Sequence, residues 1–87
     1  SEPVLIVDGA SLLISEANAA AGRLLGKMPK RLAGRSFPEF FDADGGKAVV
    51  ASIASVRAAG KADPVTVKLP DAKCNVAVHI SAFRQDS

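Results

Sequence analysis

Residues 18–37, NAAAGRLLGKMPKRLAGRSF, hold a helix with both ends written into the sequence, followed by a tight connection. Asn18 is a strong N-cap, because its side-chain oxygen can accept from the free N–H groups of the first turn. Ala19, Ala20 and Ala21 are the best helix formers available. Leu24 and Leu25 fall on the same face as Ala20 and Ala21 at i+4 spacing. Gly26 stands where a left-handed residue closes a helix, and Pro29 forbids continuation. A second short turn over residues 30–32 stops at Gly34. Ser36, with Glu39 three residues on, reads as a capping box for a further short helix ending at Phe40 and Phe41.

Working outward, a strand that ends at Asn18, a small-residue helix, Leu24-Leu25-Gly26, and then Leu32 and Gly34-Arg35-Ser36-Phe37 resembles the PAS domain family. The likeness covers nearly the whole chain, since the strands before and after fall in the family's order. It implies an antiparallel sheet with helices on one side and a sensory or protein-interaction role. It fixes neither a ligand nor a signal.

Residues 4–7 form a β-branched apolar run bounded by Pro3 and Asp8-Gly9. They read as a fully covered strand followed by a hairpin signal. Residues 12–17 are the second strand, and Ile14 occupies the position that is apolar and inward in similar PAS domains. Asp42 and Asp44 are both candidate caps of the next helix, Asp44 favoured, with Gly45 and Gly46 weakening its first turn. From residue 47 to 59 the pattern is helical: Val49, Ile53 and Val56 recur at i, i+4 and i+7, and Gly60 closes the element. Val65, Val67 and Leu69 alternate with Thr66 and Lys68 as a half-buried strand. After a turn at residues 70–73, alternation resumes over residues 74–84. Cys74, Val76, Val78, Ile80 and Ala82 take the face toward the helices; Asn75, Ala77, His79, Ser81 and Phe83 take the other. Four strands are counted, whereas PAS sheets usually have five in spatial order two, one, five, four, three. The first and last strands then pair directly, or another chain fills the gap by strand addition.

The length of 87 residues means one domain, with a core that a partner surface would help. A net charge of +2, with cations not interleaved with aromatics and no Trp or Tyr, argues against direct nucleic-acid contact. A single Cys excludes an internal disulfide, and no run has signal-peptide or membrane-spanning form. The expected setting is cytoplasmic. The chain reads as a piece of a longer, multidomain regulator.

No constellation for catalysis stands out. His79 falls on the face opposite Val78 and Ile80, which disfavours axial haem ligation. Flavin-binding light sensors of the superfamily carry a reactive Cys just after the Gly-Arg pair. Here that place reads Gly34-Arg35-Ser36-Phe37-Pro38, so the adduct chemistry lacks its central residue. Cys74 is by default a small buried hydrophobe. Asp42 and Asp44 are caps rather than an acid–base pair. No metal-ligand cluster is present. Alanines on the helix faces would leave room for a ligand. With Met28, Phe37, Phe40 and Phe41 to fill space, a closed core without cofactor is expected.

The expected fold is therefore α+β: a PAS-like antiparallel sheet covered on one face by short helices and one longer helix, its fifth strand missing. The expected function is a non-enzymatic module for dimerisation or partner binding in a signalling or transcription protein. Its contact surface would be the outer sheet face carrying Ala77, His79, Ser81 and Phe83. Residues 34–38 and 81–85 also resemble PAS segments of the photosynthesis-gene repressors of purple bacteria. That implies a redox- and light-responsive repressor whose DNA-binding helices lie elsewhere. The alternative is a ligand-sensing module, for example of a histidine kinase, holding a small apolar molecule behind Phe37, Phe40 and Phe41.

Overall fold

The structure, a computed structural model, describes residues 2–83. In chain order the elements are β1 (Leu5–Val7), β2 (Ile14–Ala17), α1 (Ala19–Leu25), α2 (Pro29–Leu32), a 3-10 turn (Phe37–Phe40), α3 (Ala43–Ala59), β3 (Val65–Leu69) and β4 (Cys74–Val78). The α+β class follows directly: two antiparallel strand pairs with helical segments packed on them.

Asn18 does more than cap α1. Its Oδ1 accepts from the Ala21 N–H at 2.9 Å and the Val4 N–H at 3.0 Å, while its Nδ2 donates to the Glu2 carbonyl at 2.7 Å. One side chain thus starts the helix and pins the segment leading into β1. At the other end Gly26 takes a left-handed φ of 75° and its N–H donates to the Gly22 carbonyl. Residues 34–37 then run beside the start of β2. Gly34 N–H donates to the Ile14 carbonyl, Ile14 N–H to the Arg35 carbonyl, and Phe37 N–H to the Leu12 carbonyl. This pairing covers the outer edge of β2 and overturns the capping-box expectation. Ser36 makes no side-chain cap, because its backbone is committed to the bridge with Leu13 and the Glu39 N–H turns to the Ser36 carbonyl.

The long helix starts earlier than its pattern suggested. Asp42, not Asp44, is the N-cap, its Oδ1 accepting from the Gly45 N–H at 2.7 Å. Asp44 sits in the first turn, where a carboxylate suits the positive end of the helix dipole. Gly45 is buried there for a packing reason. A Cβ on it would lie 3.2 Å from Phe41 Cβ and 3.3 Å from Val67 Cβ, so glycine lets α3 approach β3 closely. From α3, Val49, Ile53 and Val56 turn inward as the i, i+4, i+7 spacing required. Val49 and Ile53 meet Ile14, Leu32, Phe37, Phe41, Val67 and Leu69 in one core. Phe37 and Phe41 pack edge to face with centroids 5.2 Å apart, filling the space between the 3-10 turn and α3. Met28 does not join them. It is 69% exposed, because it precedes Pro29 and is held extended as the residue leading into α2.

The sheet differs from the single one expected. β1 pairs only with β2 and β3 only with β4; among the described residues β1 and β4 do not pair with each other. With one side of each ladder lacking a neighbouring strand, Leu5, Ile6 and Val7 stay half-buried rather than fully covered. So do Cys74, Val76 and Val78. β4 also stops at Val78 rather than continuing to residue 84. Val78 pairs with Val65, so His79 would have to pair with Pro64, which has no N–H to donate. Residues 84–87 lie outside the described residues.

Candidate functional site

The outward face of the β3–β4 ladder is built by strand parity. Val67 and Leu69 are buried against the core, while Thr66 and Lys68 point away. Register places Thr66 opposite Ala77 and Lys68 opposite Asn75. Asn75, Ala77 and His79 are exposed, and Cys74, Val76, Val78 and Ile80 are half-buried on the other side. The alternation read from the sequence therefore holds through residue 80.

The four residues expected to form the contact surface are not held alike. Ala77 is fixed within the ladder. His79, Ser81 and Phe83 follow the end of β4 in a segment without regular pairing. All four are exposed, Phe83 at 65%. The ladder adds Thr66 and Lys68 to the face on which the sequence alternation already placed Asn75. The signal was available in the five-residue match of β3 and β4 across the turn at residues 70–73, which sets who stands opposite whom. The face formed on the ladder itself is a mixed one, with apolar Ala77 among the hydroxyl of Thr66, the amide of Asn75 and the ammonium of Lys68. It can bury apolar area against a partner while its polar groups exchange water for partner hydrogen bonds.

The other chemistry-bearing residues sit in structural roles. Cys74 is a free thiol, half-buried opposite Leu69. Asp42 and Asp44 serve the start of α3. Asp8 organises the β1–β2 connection: its carboxylate accepts from the Ser11 hydroxyl at 2.7 Å and from the backbone N–H groups of Ser11 and Ala10. The Ser11 hydroxyl, then these two N–H groups, hold the Asp8 carboxyl below its ordinary value of 3.8, with Arg57 adding a smaller attraction. Arg57 reaches the same loop from the end of α3, donating to the Gly9 carbonyl at 3.0 Å. Among the described residues no group of three or more His, Cys, Asp or Glu side chains is placed to hold a metal ion.

Open grooves mark the surface of the described residues. One, of about 530 Å³, lies between the 3-10 turn and α3 and is lined by Pro38, Phe41, Gly46, Val50 and Ala54 among others. The second, of about 440 Å³, lies along α1 and the turn before α2. No helix among the described residues is long and apolar enough to cross a membrane.

A protein-family model described as PAS fold matches residues 1–82. No curated protein matches the chain.

Proposed function

The chain belongs to the PAS family, whose members are signalling and sensory modules, and from that membership we propose a non-enzymatic interaction module that forms a homodimer or binds a protein partner through the outer face of β3–β4. The observation that carries this reading is Phe83. A large aromatic ring, 65% exposed, stands just beyond an outward face bearing Ala77 and His79. Aromatic side chains exposed at the edge of a polar field are the residues that most often anchor protein contacts. The proposed setting is a cytoplasmic transcriptional regulator with its DNA-binding part elsewhere, so this domain makes no direct nucleic-acid or membrane contact. The likeness of residues 34–38 and 81–85 to purple-bacterial photosynthesis-gene repressors extends the proposal to a redox- or light-responsive repressor.

Sedimentation equilibrium tests the contact. Phe83→Ala is expected to weaken self-association by about tenfold, as loss of a central aromatic anchor does, while leaving the helical circular dichroism unchanged. Identical sedimentation of wild type and variant would remove the outer face from consideration. The rival reading is a sensor for a small apolar molecule behind Phe37, Phe40 and Phe41. It predicts colour or a stoichiometric added mass in native mass spectrometry. The edge-to-face packing of Phe37 on Phe41 within the core favours the interaction module over it.

A further inference from the structure

Charge is unevenly placed along this chain. Arg23, Lys27, Lys30, Arg31 and Arg35 all fall within residues 17–38, a span that contains no Asp or Glu. α1, which carries Arg23, packs on α2, which carries Lys30 and Arg31, with Lys27 in the turn between them. Arg23, Lys30, Arg31 and Arg35 are exposed and Lys27 is half-buried. Along this basic stretch lies the groove of about 440 Å³, lined by the small residues Ala19, Gly22 and Gly26 together with Arg23, Lys27 and Met28. Met28 is the large apolar side chain the core did not take up, 69% exposed.

We propose that this groove docks an acidic, amphipathic polypeptide segment, whose carboxylates meet Arg23 and Lys27 and whose apolar side chains cover Met28 and the small-residue lining. Charge complementarity selects an anionic partner. Three observations select a polypeptide. First, the groove runs along α1 from Ala19 to Gly26 and on to Pro29 at the start of α2, a length that suits a segment of chain rather than a compact anion such as phosphate. Arg23 on α1 and Lys27 beyond its Gly26 end both line the groove, so two separate cations face an occupant, which suits carboxylates spread along a chain. Second, the groove lining offers no aromatic ring for stacking on a base, and nearby Phe40 lies under the Arg35 guanidinium, whose carbon is 5.5 Å from the ring centroid. Third, Met28 is an exposed large apolar residue lining the groove in the turn before α2, and α1 and α2 are too short to lie in a membrane surface as an amphipathic face. Small residues along the groove allow a partner backbone to come close. The proposal is independent of the outer sheet face.

Fluorescence anisotropy with a labelled helix-forming peptide carrying Glu and Leu at i, i+4 positions tests it on the whole chain. Saturable binding is expected, weakening about tenfold or more as salt rises from about 50 to about 500 mM. Arg23→Glu with Lys27→Glu should weaken it by at least about tenfold, and Met28→Ser by several-fold, about three to five, while Phe83→Ala leaves it unchanged. Circular dichroism confirms folding of each variant, and Arg23→Gln with Lys27→Gln replaces the charge reversal if that variant unfolds. Absence of binding overturns the proposal, as does indifference to the charge substitutions. Equal affinity for a Glu/Ser peptide without Leu overturns the apolar half. Tighter capture of phosphatidylglycerol vesicles or duplex DNA through the same residues reassigns the surface and overturns the choice of a polypeptide.

Discussion

Gly22 shows how one residue in the middle of a helix can set a fold against local preference. Alanine favours helix by about 1 kcal/mol over glycine, so propensity alone predicts that Gly22→Ala stabilises α1. The structure predicts the opposite. A Cβ at Gly22 would lie 2.7 Å from the Lys27 carbonyl oxygen and 3.0 Å from Pro29 Cδ. Backbone and a proline ring cannot yield cheaply, and the same turn carries the Lys27 N–H bond to Gly22. Overpacking of this kind costs about 1–3 kcal/mol, enough to outweigh the propensity gain. Gly22→Ala is therefore expected to lower Tm, by on the order of 5–10 °C, in a calorimetric scan. An unchanged or raised Tm would show that the turn relaxes freely. Asn18 teaches the complementary lesson. Its capping role is legible from residue type and spacing. Its bonds to Val4 and Glu2, fourteen and sixteen residues away, are not.

At the scale of elements, α3 and the β1–β2 hairpin each carry a polar feature with a measurable consequence. Ser52 is buried in α3 at 6% exposure, and among the described residues its hydroxyl has no hydrogen-bond partner. An unsatisfied buried hydroxyl costs about 1–3 kcal/mol, and alanine is the better helix former. Ser52→Ala should raise the urea midpoint, corresponding to about 1 kcal/mol of added stability. A fall would mean that the hydroxyl is satisfied in solution. In the hairpin, the Asp8 carboxyl is lowered below 3.8 chiefly by the Ser11 hydroxyl. A depressed folded-state value means the charged form is favoured by folding. That stability is present above the unfolded value and lost as pH falls through the folded one. The Tm advantage of wild type over Asp8→Asn should thus be full at neutral pH and shrink as pH falls below the ordinary carboxylate value of 3.8. A constant difference across that range would exclude the carboxylate's charge as its source. The ends of elements were less legible than their existence. The capping box at Ser36 failed because the backbone there pairs with residues 12–14. β4 ended early because Pro64, ten residues before it, cannot donate.

At the scale of the whole molecule, the two strand pairs share one core but no ladder, and the Cα radius of gyration is 12.3 Å. If the outer face mediates the proposed dimer, small-angle scattering of wild type should exceed 12.3 Å as concentration rises, while Phe83→Ala stays near it. The molecule also separates its surfaces. The mixed face of β3–β4 lies on strands, and the basic groove lies on α1 and α2, so each can be altered without the other. The sequence by itself determined the local elements, the strand parity through residue 80, the caps at Asn18, Gly26 and Gly60, and the PAS family. Each of these is written in short-range spacing, where backbone geometry and residue type meet within one or two turns. Tertiary structure alone decided that Asp42 starts α3, that Met28 stays outside the core, that β1 and β4 remain apart among the described residues, and that Arg23 and Lys27 line one groove. Those outcomes depend on which distant backbone groups are already paired and on how closely two elements can approach, and neither quantity is encoded within a single stretch of chain.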